Sequence, residues 1–367
     1  GVYLNQWAYS VQQSLAQTLP FFFAKSVSAA ADALQPTYST ATMLEAPTNG
    51  AVGGNTMDHD FRTEYAKTVG VGVQRQLSPT VAVEASYLGS WIVGADSSTV
   101  LNVPSPGPGP IGPRRPVPQL SNVTAIRWDG YSIFDALTLR AEQRLARGFS
   151  FSANYTLSMA VDDASDPGAT ASETNLPQDV ANMAAERALS SFDHRHRLVG
   201  NATWNLPPLA GASHGFWSAI GRDWRVSGIL TLQSGAPFTV NLGTDRANVG
   251  SGPAQRPDAV CDPNAGAPHT PDQWFNTGCF ALPAAYTFGS AGRNSVLGPG
   301  YGDVDLSIAK AVALSAGARL ELRWDVFNLF NRVNLDVPNR IFGTPNFGRI
   351  FSAAPARQMQ IGVKAIF

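Results

Sequence analysis

The chain has 367 residues, of which 14% are charged against about 25% in an ordinary globular domain, while the apolar share of 44% is normal. With 26 basic and 27 acidic residues the formal net charge is -1, which excludes the basic footprint of a nucleic-acid binder. The 34 glycines and 26 prolines favour many turns and exclude a helical bundle.

The first uncharged stretch, Gly1 to Ala24, carries Asn5, Gln6, Gln12, Gln13 and Gln17 and is too polar to span a membrane as a helix, which takes about 20 apolar residues. It also lacks the basic, apolar and small-residue order of a secretory signal. Because it opens on Gly1 instead of Met, the chain is expected to be processed or a piece of something longer. One or two strands are expected before residue 30.

Period-two alternation then dominates. Strands are predicted at Val69 to Leu77 and Val81 to Trp91 across Ser78-Pro79. Next, Leu137, Leu139, Ala141 and Leu145 stand opposite Thr138, Arg140, Glu142 and Arg144. A turn at Arg147-Gly148 leads into Phe149, Phe151, Ala153, Tyr155 and Leu157, which alternate with Ser150, Ser152, Asn154 and Thr156. Further strands are predicted at Leu198 to Leu206 and Trp224 to Val240. A second hairpin pairs Val304 to Leu314 with Leu320, Leu322, Trp324 and Val326 across Ser315 to Gly317, and the last strand sets Met359, Ile361, Val363, Ala365 and Phe367 on one face. The total is about ten or eleven strands, many near the length that crosses a bilayer at a tilt. Short turns alternate with long loops at Gly94 to Ala125, Val161 to Ser190, Asn241 to Gly300 and Asn331 to Ala356. The proline-rich run Pro104 to Pro118 in the first of these reads as a stiff excursion without fixed structure.

Alternation alone suits a soluble β-sandwich as well as an antiparallel transmembrane β-barrel. Strand length, one-sided long loops, aromatics near strand ends (Tyr87, Trp91, Trp204, Trp224, Phe327, Phe330) and the aromatic last residue favour the barrel. A basic residue facing lipid at mid-depth costs about 2 to 4 kcal/mol, so Arg140, Glu142, Arg144, Arg319, Glu321, Arg323 and Asp325 are expected to face an aqueous lumen, with opposite charges supplied by neighbouring strands.

Cys261 and Cys279 lie in the longest loop, and a disulfide between them would contribute about 3 kcal/mol in an oxidising compartment. His194 and His196 are two apart on a predicted strand, so a copper or zinc site is conceivable, but polar rim residues are the simpler reading. Asp162, Asp163 and Asp166 lack the spacing of an EF-hand calcium loop and read as a solvated loop. No phosphate loop, nucleophile elbow or zincin helix occurs, and no cofactor is expected.

The runs NYTLSMAVDDAS (Asn154 to Ser165), FDHRHRLVGNATWNLP (Phe192 to Pro207), WRVSGILTLQSGAPFTV (Trp224 to Val240), WFNTGCFALP (Trp274 to Pro283), FGSAGRNSVLGPGYGDVDLSIAK (Phe288 to Lys310) and WDVFNLFNRVN (Trp324 to Asn334) resemble the C-terminal barrel of Oar-like TonB-dependent receptors of the Gram-negative outer membrane. The resemblance covers residues 61–367, leaving 1–60 as partial barrel strands and an outer loop. It implies a barrel of about 22 strands, long outer loops, short periplasmic turns, a lumenal plug, energy from the TonB system and import of a large or scarce solute. It also implies that the strand ending at Phe367 is read by the barrel-assembly machinery. Neither a plug nor a TonB box is found, so the chain is expected to be the C-terminal portion of such a receptor. Ligand contacts are not assigned: Trp274, Phe275 and Phe280 are candidates, with packing around the Cys261 to Cys279 bridge the better reading. The rivals are a passive porin or adhesin and, less favoured, a barrel hydrolase using Asp162, Asp163, Asp193, His194 and His196.

Overall fold

The structure, a computed structural model, describes residues 2–4, 52–60, 62–165, 174, 176–208, 221–250, 254–314 and 318–367. In chain order the strands are β1 (Val2–Leu4), β2 (Val52–Met57), β3 (Tyr65–Gln76), β4 (Val81–Leu101), β5 (Leu120–Ala146), β6 (Phe149–Asp162), β7 (Ala188–Leu189), β8 (His196–Asn205) and β9 (Trp224–Gln233). Five two-residue strands follow: β10 (Pro237–Phe238), β11 (Asn241–Leu242), β12 (Asp258–Ala259), β13 (Phe280–Ala281) and β14 (Val296–Leu297). The chain closes with β15 (Tyr301–Ala313), β16 (Arg319–Phe327), the short β17 (Ile341–Phe342) and β18 (Gln358–Ile366).

One large sheet runs β1, β3, β4, β5, β6, β8, β9, β15, β16, β18, antiparallel at every step, with β2 added in parallel to β5 and β7 to the end of β6. Its register sorts the side chains. Val73, Ala85, Leu139, Tyr155, Leu198 and Leu232 stand in one row across six strands, and one residue further on Gly72, Ser86, Thr138, Thr156, Arg197 and Gln233 form the row on the opposite face. The apolar rows are not packed against a second sheet: Val73 is 70% exposed and Ile361 81%. A continuous exposed apolar surface of this extent is that of a sheet facing hydrocarbon, not the inside of a sandwich.

The connections divide by end. β3 and β4 join through Leu77 to Thr80, where Ser78 Oγ accepts from the Thr80 and Val81 amides, and β5 and β6 join at Arg147-Gly148, both with positive φ. The opposite end carries the connections 102–119, 163–195, 234–300 and 328–357. The β8–β9 connection, 206–223, is longer than the other turns at its end.

Three expectations need correcting. Gly94 to Ala125 is strand at both ends, with the loop confined to 102–119: β4 and β5 stay paired out to Leu101 and Val123, and β2 lies alongside β5 there. Small residues such as Ser97, Ser98 and Thr99 suggested a loop, yet they are buried in this three-stranded extension. Trp224 to Val240 is not one strand, because the chain leaves the sheet after Gln233; Gly235 lies so close to the Gly298 carbonyl that a Cβ would come within 1.8 Å of it. The proline-rich run is not loose. Arg114 donates to the Asn248 carbonyl, Asn248 Nδ2 to the carbonyls of Gly107 and Gly109 at 2.9 and 2.8 Å, and Asn122 Nδ2 to that of Gly250 at 2.8 Å. Of the strands expected before residue 30 only Val2–Leu4 is seen, and the rest lies outside the described residues, as do Asp166 and the Ser315 to Gly317 turn.

Candidate functional site: the cap and the polar wall

The long connections fold together into a cap with its own small core. Phe238, Val240, Phe275, Phe280, Ala291 and Val296 are buried there, with Trp274, Val337, Phe342 and Phe347 packed around them. The aromatic rings meet edge to face, Phe275 lying 5.6 Å from Phe238, 5.9 Å from Phe280 and 5.2 Å from Phe347 between centroids. Three two-residue ladders tie the segments: β10 with β14, β12 with β13, and β11 in parallel with β17 from the other long connection. Cys261 and Cys279 form a disulfide that closes the segment holding Trp274 and Phe275. The cap core takes up Phe275 and Phe280, and Trp274 donates its indole N–H to the Leu297 carbonyl at 2.9 Å.

Two buried ion pairs fasten this cap to the end of β6 and to the β6–β8 connection. Arg256 forks onto Glu186, Nη1 to Oε2 at 2.6 Å and Nη2 to Oε1 at 3.0 Å, and both side chains are almost wholly buried. Arg293 bonds the Asp162 carboxylate and the backbone carbonyls of Asp162 and Glu186, the latter two at 2.9 and 2.7 Å. Its neighbour Asn294 exchanges bonds with Thr239 and donates to the Leu189 carbonyl at 2.8 Å. The GRN block therefore acts as a clasp between cap and sheet. FNLFN is likewise structural: Asn328 and Asn331 hold positive φ, and Asn328 bonds Arg332 through both amide and carbonyl while Asn331 accepts from the Arg357 amide.

The residues Asp162, Asp163, Asp193, His194 and His196 do not assemble a reactive set among the described residues. Asp162 is buried and ion-paired, which corrects its reading as part of a solvated loop. Ser190 donates its hydroxyl to Asp162, and Asp193 accepts from the Ala160 amide at 2.7 Å. His194 lies outside β8, which starts at His196; its Nδ1 reaches the Ser234 carbonyl at 2.8 Å, while His196 Nδ1 lies 2.8 Å from the Tyr155 hydroxyl. Asp163 stands apart electrostatically, since burial pushes its carboxyl above the usual carboxylate range, partly offset by the bond from the Tyr131 amide.

On the sheet, the register puts Arg140, Glu142, Arg319, Glu321, Arg323 and Asp325 on the polar face, while Arg144 lies within the β5 bulge between Gln143 and Ala146, where strict alternation ends. Charge compensation is partly within a strand instead of between strands. Arg140 pairs with Glu142 at 2.6 Å and Arg323 with Asp325 at 2.7 Å, since residues two apart share a face. Gln360 of the neighbouring strand donates to Asp325 at 3.0 Å. Arg225, Asp305, Glu321, Arg323 and Asp325, together with Ile229 and Phe327, line a groove of about 300 Å³ on the sheet. Phe367 follows the end of β18 and is almost fully exposed.

Residues 1–360 match the family model of the outer membrane beta barrel domain. The chain belongs to this family. Its place is the outer membrane, with the apolar rows against lipid. Among solved structures it is similar to the outer membrane transporter YddB from Escherichia coli, with a TM-score of 0.51, 9% identity, and 86% of this chain and 34% of that one covered. It also matches the FrpB iron transporter from Neisseria meningitidis (F3-3 variant; TM-score 0.42, 12% identity, 86% and 32% covered) and BauA, the ferric preacinetobactin receptor from Acinetobacter baumannii (0.41, 12%, 83% and 30%). The chain spans about a third of the length of these structures. No curated protein sequence matches it.

The buried clasp residues Glu186, Arg256 and Arg293 escape sequence reasoning, because no periodicity marks a buried ion pair inside a long connection. The one available signal was Arg293 itself, inside the GRN block.

Proposed function

We propose that the chain is the C-terminal portion of an Oar-like TonB-dependent receptor that captures a large or scarce solute at the outer cap and passes it along the polar wall into the cell. One observation carries this reading: the long connections gather at one end and build a packed cap over a sheet with one apolar and one charged face. The fold shared with the transporter YddB supports it. In this reading a plug supplied by an upstream segment fills the lumen of a barrel of about 22 strands and is displaced through the TonB system. The charged residues Arg140, Glu142, Arg144, Arg319, Glu321, Arg323 and Asp325 line that lumen, and the strand ending at Phe367 is recognised by the assembly machinery. The chain performs binding and translocation, not catalysis, and nucleic acid is not its partner.

The test is the reading frame upstream of Gly1. A plug-encoding segment there supports the receptor, and a start codon with a signal sequence there refutes it in favour of a small independent barrel. A steady open conductance of the complete gene product in planar bilayers would instead identify a passive porin.

A further inference from the structure

The apolar rows carry cations at their two ends. In β3 the lipid-facing residues read Lys67, Val69, Val71, Val73, Arg75. The span from Lys67 to Arg75 is about 26 Å of strand, or about 20 Å of depth at a 40° tilt, close to the apolar thickness of an outer-membrane barrel. Arg75 lies beside the short turn and Lys67 at the cap end, so Lys67 sits at the outer-leaflet boundary.

A second cation joins it there. Val93 links Tyr65 to Tyr131 across three strands, and Trp91 stands beside Lys67 in the next row. Arg187, just before β7, places its guanidinium 4.1 Å from the Tyr131 ring centroid, while the Lys67 ammonium lies 5.5 Å from that of Tyr65. Both cations are exposed. The nearby carboxylates have other partners: Asp135 accepts from the Tyr87 hydroxyl at 2.6 Å, Asp163 accepts from the Tyr131 amide at 3.0 Å, and of the acids lining the cavity beside Tyr65 and Val93, Asp58 and Asp60 lie against His59 and Asp129 pairs with Arg127 at 2.5 Å. Rings beneath the two cations restrict their side chains and hold them at the level of the headgroups.

We propose that Lys67 and Arg187, on the platform of Tyr65, Trp91 and Tyr131, bind the phosphate groups of the glycolipid that forms the outer leaflet. Charge complementarity selects this occupant: two exposed cations at headgroup depth face the leaflet whose lipid carries phosphates on its sugar core, with apolar rows directly below for its acyl chains. This assignment rests on the outer-membrane location and the register of the apolar face, and is independent of any transported solute.

The experiment uses the whole chain in detergent, with retention of bisphosphorylated lipid A read by native mass spectrometry and affinity by titration. The double variant Lys67→Gln/Arg187→Gln should bind bisphosphorylated lipid A roughly tenfold to thirtyfold more weakly. Arg75→Gln, at the other end of the same row, should bind like the unaltered chain, and unaltered heat-modifiable migration checks that each variant is folded. Fully dephosphorylated lipid A should bind the unaltered chain as weakly as the double variant binds the phosphorylated form. Equal binding by the double variant, or an equal loss in Arg75→Gln, overturns the proposal. Competition by inorganic phosphate alone at the same concentration as lipid A also overturns it, because a free anion would then be the ligand.

Discussion

Replacing Glu186 with glutamine isolates what the clasp contributes. The substitution keeps the shape and the acceptor for the Gln178 amide, which lies 3.1 Å from Oε1, but leaves the Arg256 guanidinium charged, buried and unneutralised. Breaking a buried pair in this way costs about 3 to 5 kcal/mol. Because the pair joins the cap to the β6–β8 connection and touches no main-sheet ladder, the loss should appear as local opening of the cap. Amide exchange around Arg256 and Phe275 should accelerate by roughly 10² to 10³-fold or more, while amides of β9, β15 and β16 keep their protection. The pair is not an efficient source of stability: among the described residues Arg256 Nε meets no acceptor although it is buried. The double variant Glu186→Leu/Arg256→Met should therefore recover part of the lost protection, as hydrophobic replacement of a buried pair commonly does, the remainder being the Gln178 amide left without its acceptor. Hydrogen exchange with mass spectrometry on the chain in detergent measures all three proteins. Exchange in Glu186→Gln equal to that of the unaltered chain would refute the reasoning, as would equal acceleration throughout the large sheet.

Serine at both Cys261 and Cys279 should lower cap stability by about 3 kcal/mol, seen as faster proteolytic nicking of 254–300 with the large sheet intact. Leu139→Arg, on the lipid side, should destabilise the sheet by about 2 to 4 kcal/mol in urea titrations from lipid vesicles, and Thr138→Arg, on the opposite face, should have little effect; equal losses would overturn the assignment of faces. Phe275→Ala should cost about 3 to 5 kcal/mol within the cap, by the same exchange assay. The raised Asp163 carboxyl binds its proton more tightly in the folded chain than in the unfolded one, so its contribution to stability falls as pH climbs from 3.8 through the folded value. Asp163→Asn should accordingly raise the melting temperature at pH 7 and give no gain below pH 3.8; an equal gain at both pH values would show that the charge is not the cause.

What could be read from the sequence follows the physics of period two. β6, β16 and β18 alternate cleanly because one face meets hydrocarbon and the other meets water, and both the strands and their faces follow from that contrast. The cap-end halves of β4 and β5 lie where that contrast ends, and Ser97 to Thr99 are buried among protein instead, so small polar residues there mimic a loop. The cap leaves no periodic trace. Its core is gathered from residues as distant as Phe238, Phe275 and Phe347, in ladders of two residues each, and only the cysteine pair announced that this segment has a fixed shape. Arg140 and Arg323 were expected to find opposite charges on neighbouring strands, but each is paired with an acid on its own strand.

That last arrangement bears on how such sheets can grow. A strand whose arginine is answered two positions along the same backbone does not need its neighbours to balance that charge, so β16 can keep its Arg323–Asp325 pair whichever strand lies beside it.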